Sequence, residues 1–385
     1  MGKILVTAGE ASGDQHAARV IKYIKKLKPR VKVSGMGSEK LKEAGAEILL
    51  DPTTMNSIGL QEAVSNFSVH LEHYRVLKDY ISKERPDVMF LVDYSGFNMV
   101  MARLGAKLDI PVVNYFPPSA WVWGRWRARW MARTEATIAA VFPMEIDVYR
   151  RAGAEVEFVG HPLLDVINRK QEQDVFSRLE ISPEKKTIAL LPGSRRAEIN
   201  RLLPSMLEAA VHLKNKNQEL QILLPLAENI PEEAVLPLVT DSNVVLKVVR
   251  GLTQEALQAA DFAIIASGTA SLEAAILKTP MLIIYKTSTL TYRLGKRLLN
   301  VDFIGLPNLI SSREIVPELI QKEVSPAQIF KTVDSYLQKP YLLKNMRHDL
   351  EQIARMLGKK GAVERTAHLV LKKGAITGEN QGYKD

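Results

Sequence analysis

Apolar residues along this chain fall into two kinds of stretch that take turns almost from end to end. One kind is short and rich in β-branched residues, and such runs predict strands buried on both faces. In the first half these are Lys3–Thr7, Val31–Ser34, Val88–Val92, Val112–Tyr115 and Ala136–Phe142. The other kind is longer, with apolar residues recurring every three or four positions, as in Gln15–Leu27 and His70–Lys83, and predicts amphipathic helices. The rhythm restarts with Thr187–Leu191 and continues through Leu220–Leu224, Val244–Val249, Phe262–Ala266 and Met281–Tyr285. From Pro326 to Lys373 only helical spacing remains, enough for two or three consecutive helices.

Strands separated by helices of this length build right-handed βαβ units and parallel sheets. Between the two series, residues 165–186 are polar and charge-rich and read as a helical connector. The expected organisation is an N-terminal α/β domain over 1–164, the connector, a second α/β domain over 187–325 and a helical tail over 326–385. Two doubly wound Rossmann-like domains facing each other place ligands at the carboxyl ends of their strands, in the cleft between them.

Composition narrows this only a little. The chain has 385 residues, 46% hydrophobic and 25% charged, as in a well-buried globular protein. No run reaches the 18 or so consecutive apolar residues of a membrane-spanning helix, and the N-terminal apolar run reads as a strand rather than a secretory signal. The absence of cysteine fits the cytosol. A net charge of +9 calls for an anionic partner, whether nucleotide, nucleic acid or membrane surface.

The first strand runs into Ala8-Gly9-Glu10-Ala11-Ser12-Gly13-Asp14, then a helix. A glycine-flanked turn opening a helix offers backbone N–H groups to a ligand, although neither the dinucleotide nor the P-loop pattern is present. The same residues describe a tight turn with Ser12 as helix cap. Glu10 and Asp14 suit sugar hydroxyls better than phosphates. Asp93 closes the apolar run MFLVD, so it sits at a strand's carboxyl end where a general base belongs. A carboxylate bonded to its neighbouring loop reads equally well there.

The second domain opens with Leu191-Pro192-Gly193-Ser194-Arg195-Arg196 and a helix, presenting glycine, a hydroxyl and guanidinium groups at a helix N-terminus. That suits a diphosphate, and a capped helix with solvated arginines is the plainer reading. Further on, Ser267-Gly268-Thr269-Ala270-Ser271-Leu272-Glu273 lets a nucleotide lie against a helix start, with Glu273 placed to accept both ribose hydroxyls. Metal chemistry is not expected, since there is no Asp-x-Asp pair and the seven histidines are scattered. His161, in Gly-His-Pro, reads as structural with a cleft role as the alternative.

All four tryptophans fall within ten residues, 121–130. On a helix Trp123, Trp126 and Trp130 share one face, with Arg125, Arg129 and Arg133 as the adjacent stripe. That pairing suits a helix at a lipid headgroup boundary, a single-stranded nucleic-acid platform, or tryptophans packed inward beside solvated arginines.

Six segments taken together resemble one family. Ala-Gly-Glu-Ala-Ser-Gly-Asp at 8–14, Pro-Ser-Ala-Trp-Val-Trp at 118–123, Gly-His-Pro at 160–162, Leu-Pro-Gly-Ser-Arg at 191–195, Ala-Ser-Gly-Thr-Ala-Ser-Leu-Glu at 266–273 and Leu-Pro-Asn-Leu at 306–309 are similar, in order and spacing, to the lipid-A-disaccharide synthases. The resemblance implies a GT-B, inverting glycosyltransferase without metal or other cofactor. It would join UDP-2,3-diacylglucosamine to 2,3-diacylglucosamine 1-phosphate through a β-1,6 bond and release UDP. It further implies Asp93 as base; Glu10 and Asp14, which share the expected cleft edge, are the reserve candidates. Gly193, Ser194, Arg195, Ser267, Gly268, Thr269, Glu273 and Asn308 would hold UDP. The helical tail over 326–385 would pack back on the first domain, the enzyme would be cytoplasmic, peripherally attached to the inner membrane and without nucleic acid, and dimers with exchanged C-terminal parts occur in such a family. This chain departs from the family at Gly96, where a second acid is common, and at Gln15-His16-Ala17-Ala18, where the family is richer in glycine. The rivals are a UDP-N-acetylglucosamine epimerase on the same fold and a basic nucleic-acid-binding protein.

Overall fold

The computed structural model describes residues 2–52, 62–288, 292 and 302–376, with side chains from residue 69 onward in the helix that begins at Glu62. The chain forms two compact units, residues 1–165 with 357–385 and residues 166–356.

Unit 1 is built on seven parallel strands: β1 (Lys3–Ala8), β2 (Lys32–Met36), β3 (Glu47–Leu50), β4 (Val88–Val92), β5 (Val112–Tyr115), β6 (Thr137–Ala140) and β7 (Val156–Phe158). They lie in the order β3-β2-β1-β4-β5-β6-β7. The interleaved helices are α1 (Ala11–Leu27), α2 (Glu39–Glu43), α3 (Glu62–Glu84), α4 (Ser95–Lys107), α5 (Trp126–Ala132), α6 (Pro143–Arg151) and α7 (Leu163–Val166). β1 and β4 read as unbroken apolar runs because helices cover both faces of the sheet. Ile4, Val6, Val88, Phe90 and Val92 point to one side, against Val20, Ile21 and Ile24 of α1. Leu5, Met89 and Leu91 point to the other, among Leu77, Ile81 and Met101.

Unit 2 repeats the plan after α8 (Glu172–Leu179), with β8 (Thr187–Leu191), α9 (Arg196–Lys216), β9 (Gln221–Leu226), α10 (Leu236–Asp241), β10 (Lys247–Arg250), α11 (Thr253–Ala259), β11 (Phe262–Ala266), α12 (Ala270–Leu277), β12 (Met281–Tyr285), α13 (Leu306–Ser311) and β13 (Glu318–Ile320). Its six strands are parallel in the order β10-β9-β8-β11-β12-β13. The polar stretch 165–186 docks through Val175 and Leu179 of α8 beside Ala256 of α11. Lys170 and Arg178 both pair with the buried Glu255.

Of the tail, α14 (Pro326–Leu337) and α15 (Pro340–Met356) stay with unit 2. Lys216 bonds Asp334 at 2.8 Å, and Lys278 bonds Glu351 at 2.8 Å. The last helix, α16 (Ala362–Lys373), belongs to unit 1, where Leu369, Val370 and Leu371 join the core beside α1. Asp165 secures its start by accepting from the N–H groups of Gly361 and Val363 (2.5 and 2.9 Å). No helix among the described residues is long and apolar enough to cross a membrane.

The strands that apolar runs leave unread are β3, β7 and β13, and β10 is displaced from Val244–Val249 to Lys247–Arg250. All four lie at sheet edges. An edge strand is covered less completely than a central one, so its residues need not be uniformly apolar.

Candidate active site

Both sheets change winding direction once, between β1 and β4 in unit 1 and between β8 and β11 in unit 2. The loops after those strands diverge there, which leaves room for a ligand at the carboxyl ends. The strongest sequence motifs sit at these two places.

In unit 1 the helix α1 starts at Ala11, earlier than expected, so Ser12, Gly13 and Asp14 lie in its first turn. Glu10 is the cap residue, exposed, and makes no side-chain cap bond. Ser12 does not cap the helix. Its hydroxyl donates across to Asp93 Oδ2 at 2.8 Å. Gly13 permits that approach, because a Cβ there would stand 3.3 Å from both Asp93 Cβ and the Val92 carbonyl. Gly9 is needed for a different neighbour: a Cβ on it would lie 2.3 Å from the Tyr94 ring. Asp14, expected as a reserve acid, is buried and serves structure instead. It accepts from Ser38 N (2.7 Å), Ser38 Oγ (2.8 Å) and Lys40 N (3.0 Å), fastening the start of α2.

Asp93 itself follows the last residue of β4 with φ +40° and donates its N–H to Tyr115 O at 3.1 Å. Burial raises its carboxyl above the ordinary aspartate range, and the Ser12 bond pulls it back down. Among the described residues Ser12 is the only side chain that donates to it. A partly buried carboxylate at a switch point with a raised pKa has what a general base requires.

The sequence assigns no role to Tyr94, Phe116 or His16. Tyr94 Oη lies 2.7 Å from His70 Nε2, and burial and Glu10 both raise its phenol. Phe116, one residue past β5, is also left-handed (φ +54°) and stacks on His16 at 4.3 Å. Burial lowers the His16 imidazole to about 4. His161 lies edge-on to Phe116 at 5.7 Å, and burial holds it at about 3. Its Nδ1 accepts from Leu163 N at 3.2 Å, a structural use.

The tryptophan segment is not the single striped helix the spacing suggests. Gly124 at φ +67° interrupts the chain, and α5 begins only at Trp126. Trp130 packs inward, its Nε1 donating to Met99 O at 3.4 Å. Trp123 and Trp126 stay exposed, at 40% and 55%. Arg127 stacks 3.5 Å over Trp123, while Arg125, Arg129 and Arg133 lie open to solvent.

In unit 2, β8 and β11 are adjacent, and α9 and α12 both begin at their carboxyl ends. Gly193 has φ +111°, and a Cβ there would stand 2.4 Å from Glu198 Oε2, so glycine is required. Arg195 pairs with Glu198 at 3.0 Å, and Asn229 donates to Ser194 O at 3.0 Å. On the neighbouring turn Gly268 and Thr269 are exposed, and a Cβ on Gly268 would meet nothing within 4 Å. Ser271 donates to Gly268 O at 2.7 Å, Ser267 to Ile304 O at 3.3 Å, and Glu273 stands in the first turn of α12. Two helix N-termini on adjacent strands form a setting for an anion.

Asn308, expected to touch UDP, has every hydrogen-bonding position committed. It accepts from Ile315 N and Val316 N (2.8 and 3.0 Å) and donates to Val316 O and Glu318 Oε1 (2.8 and 2.7 Å). A fully buried amide saturated in this way holds the segment before β13 in shape and has no donor left for a nucleotide.

Residues 4–372 match the family model described as lipid-A-disaccharide synthetase. The lipid-A-disaccharide synthase of Geobacter sulfurreducens is 36% identical over 370 residues, 96% of each chain. That of Syntrophus aciditrophicus is 38% identical over 370 residues, 96% of this chain and 97% of its own. Among solved structures, UDP-GlcNAc 2-epimerase from Neisseria meningitidis bound to UDP-GlcNAc has a TM-score of 0.64 and 15% identity, with 96% of this chain and 100% of that one covered. MurG of Acinetobacter baumannii has 0.61 and 16%, with 96% and 99% covered. At such identities the structural likeness carries the fold alone, two Rossmann-like domains of the GT-B type.

Proposed function

The chain belongs to the lipid-A-disaccharide synthetase family, the glycosyltransferases of lipid A biosynthesis, and from that premise we propose that it joins UDP-2,3-diacylglucosamine to 2,3-diacylglucosamine 1-phosphate. The acceptor's 6-hydroxyl oxygen attacks the donor's anomeric carbon from the face opposite the diphosphate. The new C–O bond forms as the bond to the diphosphate breaks, the electron pair leaves with UDP, and the hydroxyl proton passes to Asp93. The family match sets aside the epimerase and the nucleic-acid-binding readings.

The observation that carries the assignment of the base is the setting of Asp93, at the β1/β4 switch point with a raised pKa and one hydroxyl donor. UDP belongs in unit 2. There Arg195 and the N-termini of α9 and α12 stabilise the charge that builds on the leaving diphosphate, and Glu273 takes the ribose hydroxyls. The exposed Trp123 and Trp126, with Arg125, Arg129 and Arg133 around them, hold unit 1 reversibly at the inner-membrane surface, where acylated substrates reside.

The test is to supply both acylated substrates and follow the disaccharide by mass spectrometry. Asp93→Asn keeps the side chain's shape without its proton affinity, so turnover should fall by about 10²–10⁴-fold. UDP affinity should hardly change. If the variant keeps more than about a tenth of wild-type turnover, far less than a base contributes, Asp93 is not the base and Glu10→Gln is examined next.

A further inference from the structure

A left-handed backbone at a residue other than glycine persists only where its surroundings over-determine it, and Asp93 stands at φ +40°. Ser12 and Gly13 press on it from α1. Next to the same turn lies a polar pair with no exposed surface, Thr7 on β1 and Asn98 on α4. The network sets the orientation of the Asn98 amide. Nδ2 donates to Thr7 Oγ1 at 2.8 Å, and Oδ1 accepts from the N–H groups of Val92 and Tyr94, at 3.2 and 3.3 Å. Those two N–H groups flank Asp93. Asn98 N in turn donates to Tyr94 O at 2.8 Å, which closes a ring of bonds around the turn.

We propose that Asn98, seated on Thr7, is a positioning residue that holds the β4–α4 turn in the one shape that aims the Asp93 carboxylate. Both residues are buried and offer no exposed surface to a substrate, so they act through Asp93. A leucine would fill the space of Asn98, yet it would remove the side-chain oxygen that accepts from the Val92 and Tyr94 N–H groups and free the turn to relax. Displacing a reacting group by about 1 Å can lower a rate by on the order of 10²-fold. The inference rests on the reading of Asp93 as the base.

The experiment is a double-mutant comparison on the full chain with both acylated substrates. Asn98→Leu should lower kcat by about 10–10²-fold, the range for a misplaced group, and leave KM for the UDP-sugar within about twofold. Introduced into Asp93→Asn, whose remaining rate uses no base, it should change turnover by less than about twofold, the non-additivity of residues that act as a unit. Equal losses in the two backgrounds would make Asn98 a general structural residue and overturn the proposal. Should Asp93→Asn alone prove active, it is the base assignment that fails, a separate result. Thr7→Val removes only the hydroxyl, and Thr7→Ser restores it. If Asn98→Leu does not fold, the same comparison of these two variants decides, with activity expected to follow the hydroxyl in wild type and not in Asp93→Asn.

Discussion

Within Ala-Gly-Glu-Ala-Ser-Gly-Asp, Gly9 answers to Tyr94, Ser12 and Gly13 to Asp93, and Asp14 to Ser38 and Lys40, and these neighbours predict what substitution does. Gly9 lies under the Tyr94 ring, where a Cβ would come within 2.3 Å. Gly9→Ala should therefore destabilise the protein by about 1–3 kcal/mol, the usual range for overpacking. Gly9→Ala with Tyr94→Ala should recover part of that loss in urea unfolding, because the three nearest atoms all belong to that ring. Ser12 acts on chemistry rather than packing. Its bond favours the charged carboxylate of Asp93 and so lowers a pKa that burial raises. Ser12→Ala should raise it further and move the acidic limb of the kcat–pH profile upward. A limb that stays in place would separate Ser12 from the base. In unit 2, Glu273→Ala should weaken UDP binding by about 1.5–3 kcal/mol, the worth of a charge-assisted hydrogen bond, as read by calorimetry on folded protein.

At the scale of elements, α5 shows how three-dimensional context divides a pattern that looks uniform. Trp130 is drawn into the core beside α4, whereas Trp126 and Trp123 remain outside with Arg127 stacked on the latter. The Arg127 guanidinium lies over the Trp123 indole as a cation–π contact, which holds a large aromatic face at the surface. Arg125, Arg129 and Arg133 lie open beside it. Replacing those three with glutamine should reduce co-sedimentation with anionic vesicles, and added salt should do the same to the wild type. Equal sedimentation of variant and wild type would leave the segment an ordinary solvated surface.

Across the molecule, His16, His161 and Glu145, each shifted by burial in unit 1, couple stability to pH. His16 and His161 ionise only near 4 and 3 when folded, because burial penalises the imidazolium. Unfolding restores a value near 6.5. The unfolded chain thus binds protons that the folded chain refuses, and stability must fall as pH drops below about 6.5. Glu145 works in the opposite sense. Burial pushes its carboxyl to about 8, so its contribution declines as pH rises from the ordinary carboxylate range toward that value. Melting temperature should decline on the acid side, and His16→Leu should flatten that decline between about pH 6.5 and 4. An unaltered slope would mean that His16 is not among the groups responsible.

The sequence by itself determined the central strands of both sheets, their parallel winding and the positions of Asp93, Gly193 and Gly268, because strands buried on both faces must be apolar and turns at their carboxyl ends need small or left-handed residues. It did not determine the edges, since β3, β7 and β13 need no continuous apolar run. Nor did it distinguish polar residues that face a ligand from those that hold the frame. Asp14, Asn308 and His161 have the same chemistry as site residues, and only their partners, Ser38 and Lys40, Val316 and Glu318, and Leu163, reveal structural work. The partners of Asp14 lie more than twenty positions away, and those of Thr7 and Ser12 more than eighty. Bonds across such separations exist only once the sheet has brought β1, β2 and β4 side by side, which is why the tertiary structure alone decided how Asp93 is held.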